Sequence, residues 1–304
     1  MKPNFPDGMR ITPSCRPSAA KRAADDEAFG WVSQAEAIER YGIAGRVWEA
    51  SYIMEEFLDP SVVFDPPGMF SSDTHNSARS RTILELGSGT GLLSARMADF
   101  ADPGDLILAT DLPEVCSLLH KNIDAARQSR ACSVVIRPLA WGETLHINAL
   151  AEEYFSSPAE HRMLTHIVCS DLVYFPQLLA PLLRALLSVT AGPFIDPASP
   201  PQVVISYKVR SLVKESPFWS AFGLWFNFAP VIVKDALGRW RRVGASEDSG
   251  DTMFLFVAER KAGSLGWAIP DSDVDLLNGV GAEGTERAKG DSTFESLLLM
   301  DISD

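Results

Sequence analysis

The chain lacks the usual external supports of a small fold. Its four cysteines, Cys15, Cys116, Cys132 and Cys169, show no paired spacing. That excludes a disulfide framework and leaves reduced core thiols, as expected of a cytosolic or nuclear protein. No apolar run approaches the roughly 20 residues that span a bilayer, so no membrane association is expected. Nor does a charged segment followed by an apolar one open the chain, so no secretory signal is expected. The five histidines, His75, His120, His146, His161 and His166, include no close pair with metal-ligand spacing. No cluster of Asp and Asn stands out either, and no metal is expected. Basic residues are in deficit, 27 Lys and Arg against 40 Asp and Glu, for a net charge of −13. Broad nucleic-acid binding needs a cationic surface to displace counterions, so this balance argues against it while permitting a basic protein partner. Much of the acidity is local, since residues 263–304 hold nine Asp or Glu against Arg287 and Lys289.

What is present suits one large α/β domain or two small ones: 304 residues, of which 46% are hydrophobic. Residues 1–28, rich in Pro, Ser, Ala and charge without periodicity, read as a flexible extension. Residues 29–80 read as a helical cap, with two helices in Ala35–Leu58 joined at Gly42 and Gly45 and then a Pro-rich loop. From Arg81 the pattern alternates. Strands are predicted at 81–86, 106–110, 133–137, 166–170 and 203–207, and helices at 91–100, 114–127, 176–189 and 211–225. Such alternation means a parallel sheet. Two late strands, 230–233 and 252–258, read as a hairpin and an antiparallel strand near the edge. The aromatic cluster Phe218, Trp219, Leu224, Trp225 and Phe226 reads as core rather than as a peptide-facing rim. Residues 261–304 read as an acidic disordered tail, in which 294–300 alone has helical character.

The most informative stretch is Glu85-Leu86-Gly87-Ser88-Gly89-Thr90-Gly91, between an apolar run and a helical segment. Glycines at alternate positions let the backbone approach a ligand at a helix N-terminus. A dinucleotide turn would place glycine where Leu92 stands, and Glu85 suits an ammonium group better than a pyrophosphate. The next strand ends at Asp111, twenty residues after Gly91, where an acid can take both hydroxyls of a ribose. Together these favour S-adenosylmethionine over NAD. The turn offers no Gly-x-Ser-x-Gly frame for a serine nucleophile.

Three further segments accompany the turn: Gly45-Arg46-Val47-Trp48-Glu49-Ala50, Leu139-Ala140-Trp141-Gly142 and Ser170-Asp171-Leu172-Val173-Tyr174. The combination, over about 35–260, resembles the family-16 protein lysine methyltransferases of the seven-β-strand class. It looks most like fungal members, some of which act on translation elongation factors and which carry a late segment like Ser206-Tyr207-Lys208-Val209-Arg210. The resemblance implies a Rossmann-like seven-stranded class I methyltransferase sheet, mostly parallel, with helices on both faces of a domain at 81–260. It implies a monomer that binds S-adenosylmethionine and acts on a lysine of a protein substrate. Trp48 would lie near the methionine end of the cofactor and Trp141 on its adenine. Glu85 would meet its amino group and Asp111 its ribose, with Gly87, Gly89, Leu112 and Ser170 lining the same site. Asp171 and Tyr174 would sit at the transferred methyl, with Asp171 as base or positioning group, or alternatively as a cap on the following helix. Leu172 and Val173 stand where amino-group nucleic-acid methyltransferases carry prolines. A nucleic-acid or small-molecule methyltransferase and a non-catalytic cofactor-binding module remain the alternatives.

Overall fold

The structure, a computed structural model, describes residues 10–15, 28–71, 80–126, 132–157, 162–244 and 252–299. Helices α1 (Trp31–Tyr41) and α2 (Glu49–Phe57) flank a 3-10 turn, Gly42–Gly45. The short strand β1 (Phe64–Asp65) precedes the alternating body: β2 (Thr82–Leu86), α3 (Leu92–Phe100), β3 (Leu106–Asp111), α4 (Cys116–Ala125), β4 (Ser133–Pro138) and α5 (Thr144–Leu150). Next come β5 (His166–Ser170), α6 (Pro176–Val189), β6 (Gln202–Lys208) and α7 (Leu212–Trp225). Strands β7 (Phe226–Pro230), β8 (Ile232–Lys234), β9 (Trp240–Arg242) and β10 (Met253–Arg260) follow, then α8 (Asp273–Leu277) and α9 (Thr293–Leu299).

Seven strands form one sheet in the order β4-β3-β2-β5-β6-β10-β7. The first five are parallel, and β10 runs antiparallel to both neighbours, so the reversed strand is the penultimate one. Strand side chains alternate between faces. Leu84, Leu86, Leu108, Ile167 and Ile205 therefore pack against α5, α6 and α7. Ile83, Ile107, Val168 and Val204 pack against α2 and α3. Burial on both faces explains why the central strands read as continuous apolar runs. The aromatic cluster of α7 is core, with Phe218, Trp219, Trp225 and Phe226 all buried.

The helices before the sheet pack directly on it, Met54 and Phe57 of α2 sharing one cluster with its residues. Several expectations need correction. The strand paired with β10 is Phe226–Pro230, not 230–233. After Val231, β8 leaves the main sheet and joins β1 and β9 in a small antiparallel one. Its β-branched run suits either sheet, so sequence pattern alone does not assign it. The acidic tail is also folded over 262–299, as a strap across α6 and α7. Phe294 is 0% exposed. Its ring stacks on Trp219 at 4.9 Å between centroids, and Arg184 of α6 donates to the carbonyls of Pro270 (2.7 Å) and Asp271 (3.0 Å). A few apolar anchors suffice to hold a segment whose average composition is polar. Met300 and residues 301–304 lie outside the described residues.

Of the expected N-terminal extension, 1–9 and 16–27 likewise lie outside the described residues. Residues 10–15 do not match a flexible extension, because Ser14 donates through its backbone to Gln34 Oε1 (3.1 Å) and its hydroxyl bonds to the carbonyl of Val47. Cys132 and Cys169 are buried thiols, whereas Cys116 is half-buried and Cys15 exposed, so only two of the four belong to the core. Among the described residues, no helix is long and apolar enough to cross a membrane.

Candidate active site

In the order β3-β2-β5 the chain steps from β2 to one side and later returns to the other. Open α/β sheets bind ligands outside the strand C-termini at such a reversal. A cleft of about 1460 Å³ opens there and is lined by all ten residues expected from the sequence: Trp48, Glu85, Gly87, Gly89, Asp111, Leu112, Trp141, Ser170, Asp171 and Tyr174.

The glycine turn leaves β2 through three glycines at positive φ, Gly87 (62°), Gly89 (54°) and Gly91 (83°), a conformation that costs an ordinary residue about 1–2 kcal/mol. Space is restricted as well. A Cβ on Gly87 would lie 2.8 Å from Leu172 Cδ2 and 3.0 Å from the Trp141 ring, and one on Gly89 would lie 3.2 Å from the carbonyl of Ala44. Gly87 and Gly89 thus also make room for the cleft's own walls.

Two buried acids bracket the turn. Glu85 is 2% exposed and accepts a hydrogen bond from the Ser94 hydroxyl. Burial, with the Asp111 charge adding to it, pushes its carboxyl up to about 7 against the opposing Ser94 and Ser88 hydrogen bonds. Asp111 accepts from the backbone N–H groups of Gly89 (2.8 Å) and Leu112 (2.7 Å), one on each oxygen. Burial raises it to about 6 even so. Each of its oxygens keeps a second lone pair. The Leu112 N–H is thus occupied by Asp111.

On the other side of the cleft, Ser170 ends β5 and its hydroxyl bridges those of Ser51 and Ser206, at 3.0 Å each. Asp171 then takes a left-handed conformation (φ 59°), which Asp tolerates better than most residues, and donates its N–H to the carbonyl of Ser206 (2.8 Å). It does not cap α6, whose N-cap is Phe175. Its carboxylate instead holds the Arg210 guanidinium in a two-pronged pair, Nη1 to Oδ1 at 2.7 Å and Nη2 to Oδ2. Tyr174 packs edge-on against Phe175 at 4.8 Å. Burial, helped by the charges of Asp111 and Asp171, pushes its phenol well above the usual range, so it stays protonated.

Trp48 precedes α2, with its indole Nε1 donating to the carbonyl of Ile43 (3.0 Å). The guanidinium carbons of Arg46 and Arg210 lie 4.4 and 5.3 Å from its ring centroid. Two of the protein's own cations thus lie over a ring that lines the cleft. Arg210 was legible as part of a motif but not as a partner of Asp171, because 39 residues separate them. Arg46 pairs with Glu49; both belong to the Gly45–Ala50 motif, but the motif does not mark them as an ion pair.

Among curated proteins the chain is similar to the Saccharomyces cerevisiae Protein-lysine N-methyltransferase EFM6, 28% identical over 179 residues, which cover 56% of this chain and 65% of the yeast protein. The chain thus spans just under two thirds of that relative's length. Among solved structures it is similar to the O-methyltransferase from Bacillus cereus in complex with SAH (TM-score 0.43, 12% identity, 80% of this chain and 92% of that one). It is also similar to a ribosomal protein L11 methylase from Lactobacillus delbrueckii subsp. bulgaricus (TM-score 0.34, 16% identity, 62% and 74%). The family model described as Lysine methyltransferase matches residues 32–222, from α1 through most of α7 and across every element that lines the cleft. On that match, the chain belongs to the lysine methyltransferase family.

Proposed function

We propose that the protein is an S-adenosylmethionine-dependent protein-lysine N-methyltransferase. The observation that carries this reading is the convergence of the glycine turn, the buried acids Glu85 and Asp111, and the Asp171–Tyr174 turn on one cleft at the strand reversal. The donor set fits the cofactor. The free lone pairs of Asp111 suit a vicinal diol, ionised Glu85 suits an ammonium group, and the Trp141 ring beside Gly87 offers a flat apolar wall for adenine. S-adenosylmethionine, when bound, supplies an electrophilic methyl on a sulfonium and leaves as a neutral thioether.

The residues of the chain then have to orient a neutral lysine amine and exclude water, since no covalent intermediate is required. Tyr174 and Phe175 wall the lysine channel, and Asp171 sets its electrostatics from beneath Arg210. From the resemblance to fungal members, the substrate class we propose is a translation elongation factor, methylated by a monomeric enzyme. Incubation with tritium-labelled cofactor and a lysate of cells lacking the enzyme should label protein, with the mark on lysine by mass spectrometry. Label in RNA alone would sink the reading. In the non-catalytic alternative S-adenosylhomocysteine binds, but no protein is labelled and Asp171→Asn changes nothing.

A further inference from the structure

Lysine is cationic in water at neutral pH, with a pKa of about 10.4, and only its free base can attack a methyl group. A bare carboxylate at the transfer point would work against that step, because an opposite charge within about 4–6 Å stabilises the ammonium form. The arrangement around Asp171 avoids this. Its side chain is 0% exposed and lies beneath Arg210, which is 27% exposed and faces the cleft. Both carboxylate oxygens are taken by the guanidinium, and Oδ1 also accepts from the N–H of Lys208 (3.3 Å).

The guanidinium is itself held from several sides. Its central carbon lies over Trp48, 5.3 Å from the ring centroid, its Nη1 donates to the carbonyl of Lys208 (3.1 Å), and its backbone N–H donates to Glu215 Oε2 (3.1 Å). A fork-shaped donor fixed in this way is less free to leave than a lysine in its place.

The surrounding charges come close to balance. From α2 and the turn before it come Glu49 and Arg46, from the end of β6 Lys208, whose Nζ lies 3.9 Å from Glu49, and from α7 Glu215 and Lys214. Tyr174, after β5, contributes an un-ionised phenol. Loss of the Arg210 charge would leave Asp171 as an uncompensated anion beside the channel.

We infer that Arg210 is a positioning residue for methyl transfer: paired with Asp171 and set over Trp48, its guanidinium cancels the carboxylate's charge at the transfer point, so that the substrate lysine reacts as its free base. This rests on the lysine-methylation reading above. The ammonium proton goes to bulk water before transfer. The amine lone pair then forms the C–N bond as the C–S bond breaks, its electron pair stays on sulfur, and the methylated ammonium formed carries the positive charge.

The test measures acid-precipitable tritium in proteins of a lysate lacking the enzyme, at saturating labelled cofactor, across pH 6 to 10. Arg210→Gln should move the acid limb of the profile up by about one pH unit, a roughly tenfold loss near neutrality that shrinks toward high pH. Arg210→Gln combined with Asp171→Asn removes both charges and should return the limb to its original position. Arg210→Lys should hold it there. A readout without turnover accompanies these. The melting temperature of Arg210→Gln should lie below that of the wild type, and that of the double variant should lie nearer to it, because only the single variant leaves a buried carboxylate without its cation. A loss of equal size at every pH, or a gain at every pH, would overturn the inference and make Arg210 a structural brace or a plug. No protein label with the wild-type enzyme would overturn the lysine-methylation reading and this inference together.

Discussion

At the scale of single residues, the cleft holds two carboxylates whose burial opposes their ionisation. Glu85 rises from an ordinary 4.5 to about 7 and Asp111 from 3.8 to about 6. A carboxyl raised on folding binds protons in the native state that the unfolded chain has already released. It therefore adds stability that is complete below about pH 4 and is lost as pH climbs through 6 and 7. A ligand that places an ammonium on Glu85 and a diol on Asp111 reverses the preference, because it favours the ionised forms and expels their protons. Calorimetry with S-adenosylhomocysteine in buffers of different ionisation enthalpy should show net proton release near pH 6, with affinity rising up to about tenfold per pH unit for each proton released. The melting-point increase caused by the ligand should widen between pH 5.5 and 7.5. An increase of constant size across that range would mean that neither carboxylate meets the ligand. Glu85 and Asp111 were legible because both end apolar runs at a spacing set by one strand-helix unit. The Asp171–Arg210 pair was not, because its partners meet only once β5 and β6 lie side by side.

At the scale of elements, the alternating body from β2 to β6 was legible because parallel strands buried on both faces carry an uninterrupted apolar signal. Two elements were not. Strand β8 continues a β-branched run yet belongs to another sheet, a choice made by β1 from far along the chain. The strap over 262–299 is acidic on average, and its order depends on single anchors: Phe294 against Trp219, Leu276 and Ala282 in the core, and Asp291 donating its N–H to the carbonyl of Ser220 (3.0 Å). Removing the Phe294 ring should therefore cost as much as a mid-core deletion. Phe294→Ala is expected to destabilise by about 3–5 kcal/mol, read as a shifted urea midpoint, with the affinity for S-adenosylhomocysteine unchanged, since the strap lies outside the residues that line the cleft. A midpoint shift equivalent to less than about 1 kcal/mol would make the strap an ornament rather than part of the core.

At the scale of the whole molecule, the question is whether the segment before β2 is a cap that moves on its own. Packing says it is not. Met54 and Phe57 of α2 share one cluster with Ile83, Ile107 and Val168 of the sheet, Arg96 of α3 donates to Glu55 of α2 at 2.7 Å, and the Ser51–Ser170–Ser206 hydroxyl chain ties α2 to two strands. The cleft is walled from both sides of that junction, by Trp48 before β2 and by the glycine turn after it. An equilibrium in which the cap opened would expose apolar sheet surface as well as dismantle the site. Calorimetric unfolding is therefore expected as a single transition rather than two. S-adenosylhomocysteine at about a hundredfold its Kd should stabilise the native state by about 2.7 kcal/mol, which for a body of this size raises Tm by about 4–5 °C. Because residues of both parts line the cleft, the transition should move without splitting. A second transition that stays in place when ligand is added would show that α1 and α2 unfold apart from the sheet, and the cleft would then have to be rebuilt on each cycle of binding.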